Sequence, residues 1–181
     1  MKPAGVILVG GQSRRMGRDK ALLTQDGSTF LQQTVDDMRR VCGSIYLLAS
    51  PGQSLPMVDG VEIVIDAVAY QGPATALLSF ASHCEADWLF VRAVDMPLAR
   101  ASEFIFGINL DHVIDGCIAC VDGREQPLFA IYRRSSLLNM KLTGKRSMFQ
   151  MLEGLSMRKL SFSGSSWRNF NYQDQLSDGV G

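Results

Sequence analysis

The sequence predicts an α/β fold with a mostly parallel central sheet. Short apolar β-type runs alternate with longer stretches of helical spacing along nearly the whole chain. Most of the strand-like runs are continuously apolar, as strands covered by helices on both faces must be. The first run discharges into a loop rich in glycine and cations. In open α/β sheets ligands sit beyond the carboxyl ends of the strands, so this loop marks the functional edge.

Each element has its own signal. Ala4–Val9 is the first strand. In Thr29–Val41, Phe30, Leu31, Thr34, Val35, Met38 and Val41 recur at helical spacing. Ser44–Ala49 and Val61–Ile65 are apolar strands, and Pro73–Cys84 is a helix opening on a proline, a favoured first-turn residue. Trp88–Val94 is a strand ending at Asp95, and Ala101–Asn109 is helical. Cys117–Val121 and Leu128–Tyr132 flank the turn Asp122-Gly123-Arg124 and form one antiparallel insertion. Short helices over Arg134–Lys141 and Ser147–Leu152, a strand over Met157–Phe162 and a Gly/Ser loop at Ser163–Ser166 complete the core. The polar tail Gln175–Gly181 frays.

At 181 residues the expectation is one domain spanning 1–181, with no internal repeat or linker. Hydrophobic content of 46% suits a globular chain with a sizeable core. The 18 basic and 18 acidic side chains cancel, which disfavours nucleic-acid binding. Basic residues instead cluster at Arg14–Lys20 and Lys141–Arg146, a distribution suited to a small anionic ligand. No apolar stretch approaches the roughly 18 residues of a membrane helix, and the amino terminus lacks the layout of a signal peptide. The expected location is cytoplasmic, without membrane association. Cys117 and Cys120 form the one C-x-x-C, but period-2 alternation puts their thiols on opposite faces of a strand, so reduced structural thiols are expected rather than a metal site.

The chemistry concentrates in three places. Gly10–Lys20 holds three glycines and four cations in eleven residues. Glycines let backbone N–H groups approach an anion closely, and Arg15 and Lys20 are among the cations that can neutralise it. This is a phosphate cradle suited to a nucleoside triphosphate. It is neither G-x-x-x-x-G-K-[ST] nor G-x-G-x-x-G, which disfavours P-loop NTPases and dinucleotide-binding dehydrogenases. Asp95 ends a buried strand before Met96-Pro97. There a carboxylate either meets a hard divalent cation shared with phosphates or caps the following helix. Asp66 follows its strand in the same way, ahead of Gly72-Pro73, and either binds ribose or caps its loop. Arg124, the pair Lys145 and Arg146, and the pair Asn169 and Asn171 are candidates for the second substrate, each also readable as surface decoration or a cap. His83 and His112 have no nucleophilic or acidic partner nearby in sequence and read as solvated or structural.

Taken together, Leu8-Val9-Gly10-Gly11, Arg15-Met16-Gly17 with Asp19-Lys20, and Asp95-Met96-Pro97 resemble the molybdenum cofactor guanylyltransferase family. Asp66 with Gly72-Pro73 and the pair Asn169-Phe170-Asn171 extend the likeness from about Gly5 to Leu176. The resemblance implies a three-layer Rossmann-like nucleotidyltransferase (GT-A) fold. It implies transfer of GMP from GTP to molybdenum-bound molybdopterin, giving molybdopterin guanine dinucleotide and pyrophosphate. It further implies Mg²⁺ on Asp95, Arg15 and Lys20 against the phosphate charge, and backbone groups of Leu8, Val9, Gly10 and Gly11 around the nucleotide. Asp66 would lie near the nucleoside, and molybdoenzymes or their chaperones are the implied partners.

The chain departs from the family at several positions. Val9 replaces an alanine; Leu48 stands where an asparagine often contacts the base; Ala76 replaces the second glycine of Gly-Pro-x-x-Gly; Tyr172-Gln173 replaces Thr-Pro. These changes leave the phosphate and metal residues in place and bear on which base is read. Gly10-Gly11 leans toward GTP by resemblance. The alternatives are a CTP-dependent or sugar-phosphate nucleotidyltransferase, and a non-catalytic nucleotide-binding module of the same fold.

Overall fold

The computed structural model of the chain describes residues 2–9, 20–25, 27–65, 72–109, 114–140 and 147–167. In chain order they form β1 (Ala4–Leu8), a 3₁₀ turn (Lys20–Leu22), β2 (Thr24–Gln25), β3 (Ser28–Thr29), α1 (Phe30–Arg39), β4 (Ser44–Ala49), β5 (Glu62–Ile65) and α2 (Pro73–His83). There follow β6 (Trp88–Ala93), α3 (Ala101–Phe106), β7 (Gly116–Val121), β8 (Arg124–Arg133), α4 (Arg134–Leu138), α5 (Met148–Leu152), β9 (Met157–Phe162) and a 3₁₀ turn (Ser165–Trp167).

Seven strands build one sheet in the order β5-β4-β1-β6-β8-β7-β9. β5, β4, β1 and β6 run parallel, and β7 is parallel to β9. β8 is antiparallel to both its neighbours and is the reversed strand in this sheet. The mostly parallel α/β sheet expected from the apolar runs is therefore present, with its antiparallel insertion at β8.

Period-2 alternation divides the strand side chains between two cores, giving three layers. On one face Ile7, Leu47, Phe90 and Phe129 pack with Phe30, Leu31 and Val35 of α1 and Phe104 of α3. On the other, Val6, Leu48, Leu89 and Val91 pack with Leu77 and Phe80 of α2, Leu137 of α4 and Met151 of α5. Cys117 belongs to the first core, whereas the thiol of Cys120, three residues on, is half-buried; all four cysteines are free.

Local chemistry sets the boundaries. Thr29 caps α1 by accepting the Gln32 N–H at 3.1 Å. Ser147 and Gln150 form a reciprocal capping box at α5. Gly72 stands at φ 96° immediately before Pro73, a backbone conformation that only glycine adopts readily, and so turns the chain into α2. α3 is shorter than its apolar pattern suggests, with Gly107 as its C-cap.

The β7–β8 hairpin departs most from expectation. Asp122 and Gly123 take φ of 48° and 79°, the signature of a two-residue type I′ turn, so Arg124 opens β8 and does not belong to the turn. β8 pairs with β6 only from Arg133 to Phe129, and Arg124–Leu128 runs past the end of β6. Within the hairpin the register jumps between Ile118↔Ala130 and Ala119↔Gln126, leaving Pro127, Leu128 and Phe129 without partners on β7. Proline has no N–H to give a ladder, which accounts for a break at this point. The buried Tyr132 hydroxyl donates to the Pro127 carbonyl at 2.7 Å and ties the irregular segment back to its own strand.

Candidate functional site

The parallel strands end together. Leu8 pairs with Leu48 on one side and Ala93 on the other, and Ala49 pairs with Ile65. Beyond this edge lies a cleft of about 810 Å³, a volume within the range of small-molecule sites. Its walls are Pro73 at the start of α2, Asp95 and Met96 after β6, Gly123–Leu128 of the hairpin, and Ser147–Phe149 at the start of α5.

Asp95 is half-buried on one wall, within a turn after β6. It does not cap α3: the N-cap position is Arg100, without a side-chain bond, and the Ala101 N–H donates instead to Asp37 Oδ2 at 2.7 Å. The capping alternative for Asp95 is thus excluded. Pro73 opens α2 beside it, and no side chain caps that helix. Arg124 is exposed on the hairpin wall. The structure therefore brings Asp95 and Arg124, 29 positions apart in sequence, onto the same cleft.

Leu8 and Val9 lie at the end of β1 with buried side chains. The Val9 N–H donates to Leu48 O at 3.3 Å, and the Val9 carbonyl accepts from Gln53 Nε2 at 3.0 Å. Leu48 is buried among the residues facing α2, so its side chain is part of the core. Lys20 opens a 3₁₀ turn in which Ala21 is fully buried against the core containing α1. The remaining sequence candidates, Gly10, Gly11, Arg15, Asp66, Lys145, Arg146, Asn169 and Asn171, lie outside the described residues, as does His112. His83 sits exposed at the end of α2, its Nδ1 2.9 Å from Ser79 O.

Four neighbours of the site escaped the sequence reading. Glu125 lines the cleft beside Arg124 and pairs with Lys159 at 2.6 Å; the hydrogen bond and charge of this carboxylate raise the lysine pKa. Phe149 lines the cleft and is 57% exposed, unusually open for an aromatic side chain. Gln53 fixes the backbone where β1 meets the glycine loop. Arg92 is fully buried in β6 and ion-pairs with Asp37 of α1; burial lowers its pKa, while the Asp37 charge and hydrogen bond oppose that shift. A cation inside Leu89-Phe90-Val91-Arg92-Ala93-Val94 was the one available signal for this pair.

Among the described residues no group of three or more His, Cys, Asp or Glu side chains forms a metal cluster. The Asp95 carboxylate on the cleft still suits Mg²⁺, which commonly binds through one or two carboxylates plus substrate phosphates. Among the described residues no helix is long and apolar enough to cross a membrane.

Comparison with known proteins gives the cleft its context. The family described as "MobA-like NTP transferase domain" matches residues 5–159. A probable molybdenum cofactor guanylyltransferase of Mycobacterium avium (strain 104) is 40% identical over 142 residues, which are 74% of this chain and 70% of that protein. Another, from Bacillus cytotoxicus, is 30% identical over 173 residues, covering 91% of this chain and 85% of that one. Among solved structures, Rv0371c of Mycobacterium tuberculosis H37Rv, in complex with manganese, superposes with a TM-score of 0.73 at 16% identity, covering 99% of this chain and 100% of that one. At that identity the likeness is one of fold.

Proposed function

This chain belongs to the MobA-like NTP transferase family, and we propose that it transfers GMP from GTP to molybdenum-bound molybdopterin, forming molybdopterin guanine dinucleotide and pyrophosphate. The observation that carries this reading is Asp95 on the wall of a cleft at the carboxyl edge of the parallel strands, facing the β7–β8 hairpin.

In the reaction, an oxygen of the pterin's terminal phosphate forms a bond to the α-phosphorus of GTP. The bond from that phosphorus to the bridging oxygen breaks, and pyrophosphate leaves with the electron pair. Such chemistry needs alignment and charge neutralisation more than covalent help. The backbone at Leu8, Val9, Gly10 and Gly11 cradles the nucleotide, with Val9 held in register by Leu48 and Gln53. Arg15 and Lys20 offset charge on the departing pyrophosphate, and Asp66 orients the nucleoside. Asp95 supplies the carboxylate for a divalent cation, Mg²⁺ in this reading. When bound, the cation neutralises phosphate oxygens. The manganese complex of the mycobacterial structure supports a divalent requirement in this fold.

Arg124 on the hairpin is the candidate contact for the anionic end of the acceptor, with Lys145, Arg146, Asn169 and Asn171 as further candidates from the sequence. The two cores share one sheet, which supports a single domain over 1–181. A cytoplasmic location fits the substrates, with molybdoenzymes or their chaperones as recipients.

The test is calorimetry with GTP, CTP, ATP and UTP in Mg²⁺. Selective GTP binding that is lost in Lys20→Ala is expected. A preference for CTP would overturn the choice of base, and no triphosphate binding by folded protein would favour a non-catalytic module.

A further inference from the structure

The mechanism above leaves one costly feature unused. Arg92 has no solvent exposure, and its Nε has no hydrogen-bond partner among the described residues. Removing a cation from water is expensive, and an apolar side chain in its place is often no less stable. Stability alone is therefore a poor account of this arginine, and the direction of its fork is more informative.

The guanidinium reaches forward along its own chain. Its Nη2 donates to Met96 O at 2.8 Å and to Ala99 O at 2.7 Å, while Nη1 pairs with Asp37. One planar group thus grips both ends of the segment that directly follows Asp95. Asp37 Oδ2 also accepts the Ala101 N–H at 2.7 Å and pins the start of α3. The Phe129 ring, 5.1 Å away, covers the guanidinium. The loop from β6 to α3 is held along its length from below, with the Asp95 carboxylate on the cleft side. Asp95 is close enough to contribute to the electrostatics of Arg92.

We propose that Arg92, oriented by Asp37, is a positioning residue that fixes the Asp95 carboxylate for the divalent cation accompanying the nucleotide. This rests on the reading of Asp95 as the metal ligand. Supports of this kind behind a ligand commonly account for about 10- to 100-fold in metal affinity. Lysine at position 92 would keep the charge but lose the planar fork that serves two carbonyls and a carboxylate together.

The test titrates Mn²⁺ into the full chain with GTP and without acceptor, so that nothing turns over, and follows binding by water-proton relaxation. Arg92→Lys is expected to raise the Mn²⁺ dissociation constant roughly 10-fold while GTP binding without divalent ion stays unchanged. In an Asp95→Asn background the same change is expected to add almost nothing, because both act on one carboxylate. A folded Arg92→Lys protein with wild-type Mn²⁺ affinity, or a loss fully additive with Asp95→Asn, overturns the proposal. If Arg92→Lys does not fold, Asp37→Asn serves: weaker Mn²⁺ binding with GTP binding intact supports the proposal, and unchanged Mn²⁺ affinity overturns it. Asp95→Asn alone separates the two levels. Intact Mn²⁺ binding in that variant removes the metal reading and this inference together, whereas an effect of Asp95→Asn with none from Arg92→Lys removes only the inference.

Discussion

The two facing walls of the cleft are built on opposite principles. Asp95 rises from a parallel strand at the centre of the sheet, and the loop after it is bound to a buried guanidinium and a helix carboxylate. Arg124 stands exposed at the start of β8, on a hairpin that overhangs the end of β6. The hairpin's ties include the β7–β9 ladder, the Asp122 N–H on Phe162 O at 3.2 Å, the Tyr132 hydroxyl on Pro127 and the Glu125–Lys159 ion pair, whose lysine is 62% exposed. An exposed pair of this kind is screened and contributes little. The comparison suggests a division of labour. The carboxylate proposed to hold the metal precedes a loop braced by a buried guanidinium, whereas the arm proposed to meet the acceptor presents an exposed cation.

Substitutions at the two walls test that division. Asp95→Ala removes a group proposed to act on the charge of the reacting phosphates, and the expected loss in kcat is about 100- to 1,000-fold, with the fold intact by circular dichroism. A small loss there would make the braced wall irrelevant to catalysis. Arg124→Ala removes an exposed cation, so the expected effect is roughly 10-fold in KM for the pterin acceptor with kcat and GTP affinity nearly unchanged. A fall in kcat of the same size would mean that the arm is as exacting as the Asp95 wall. Tyr132→Phe deletes the bond to Pro127, and thermal denaturation should register a loss of about 1 kcal/mol. A stability change near zero would show that the register break at Pro127 holds itself.

Much of the braced wall's frame was legible in the chain. Continuous apolar runs marked β1, β4 and β6 to within a residue of their ends, because a strand buried on both faces needs apolar side chains throughout. Asp95 stood out as a carboxylate closing such a run, and the motif likeness agreed with it. The hairpin was less legible. Its turn signal, Asp122-Gly123, was clear, yet Arg124–Pro127 lacks the apolar pattern of a strand because this stretch leaves the core to line the cleft. Leu48, which departs from the asparagine of the resembled family, is packed on the α2 side of the sheet.

The sequence alone shows the strand–helix alternation, the cluster of glycines and cations after the first strand and the aspartate at the end of β6, because each is written in short-range periodicity or in adjacent residues. It is silent on the partnership of Arg92 with Asp37, 55 positions away, and on Glu125 and Phe149 reaching the same cleft. Those contacts exist because α1 packs against one face of the sheet while α5 packs on the other, and because β8 enters antiparallel beside β6. Backbone propensity acts over a few residues, whereas the choice of which distant side chains meet belongs to packing across the whole sheet.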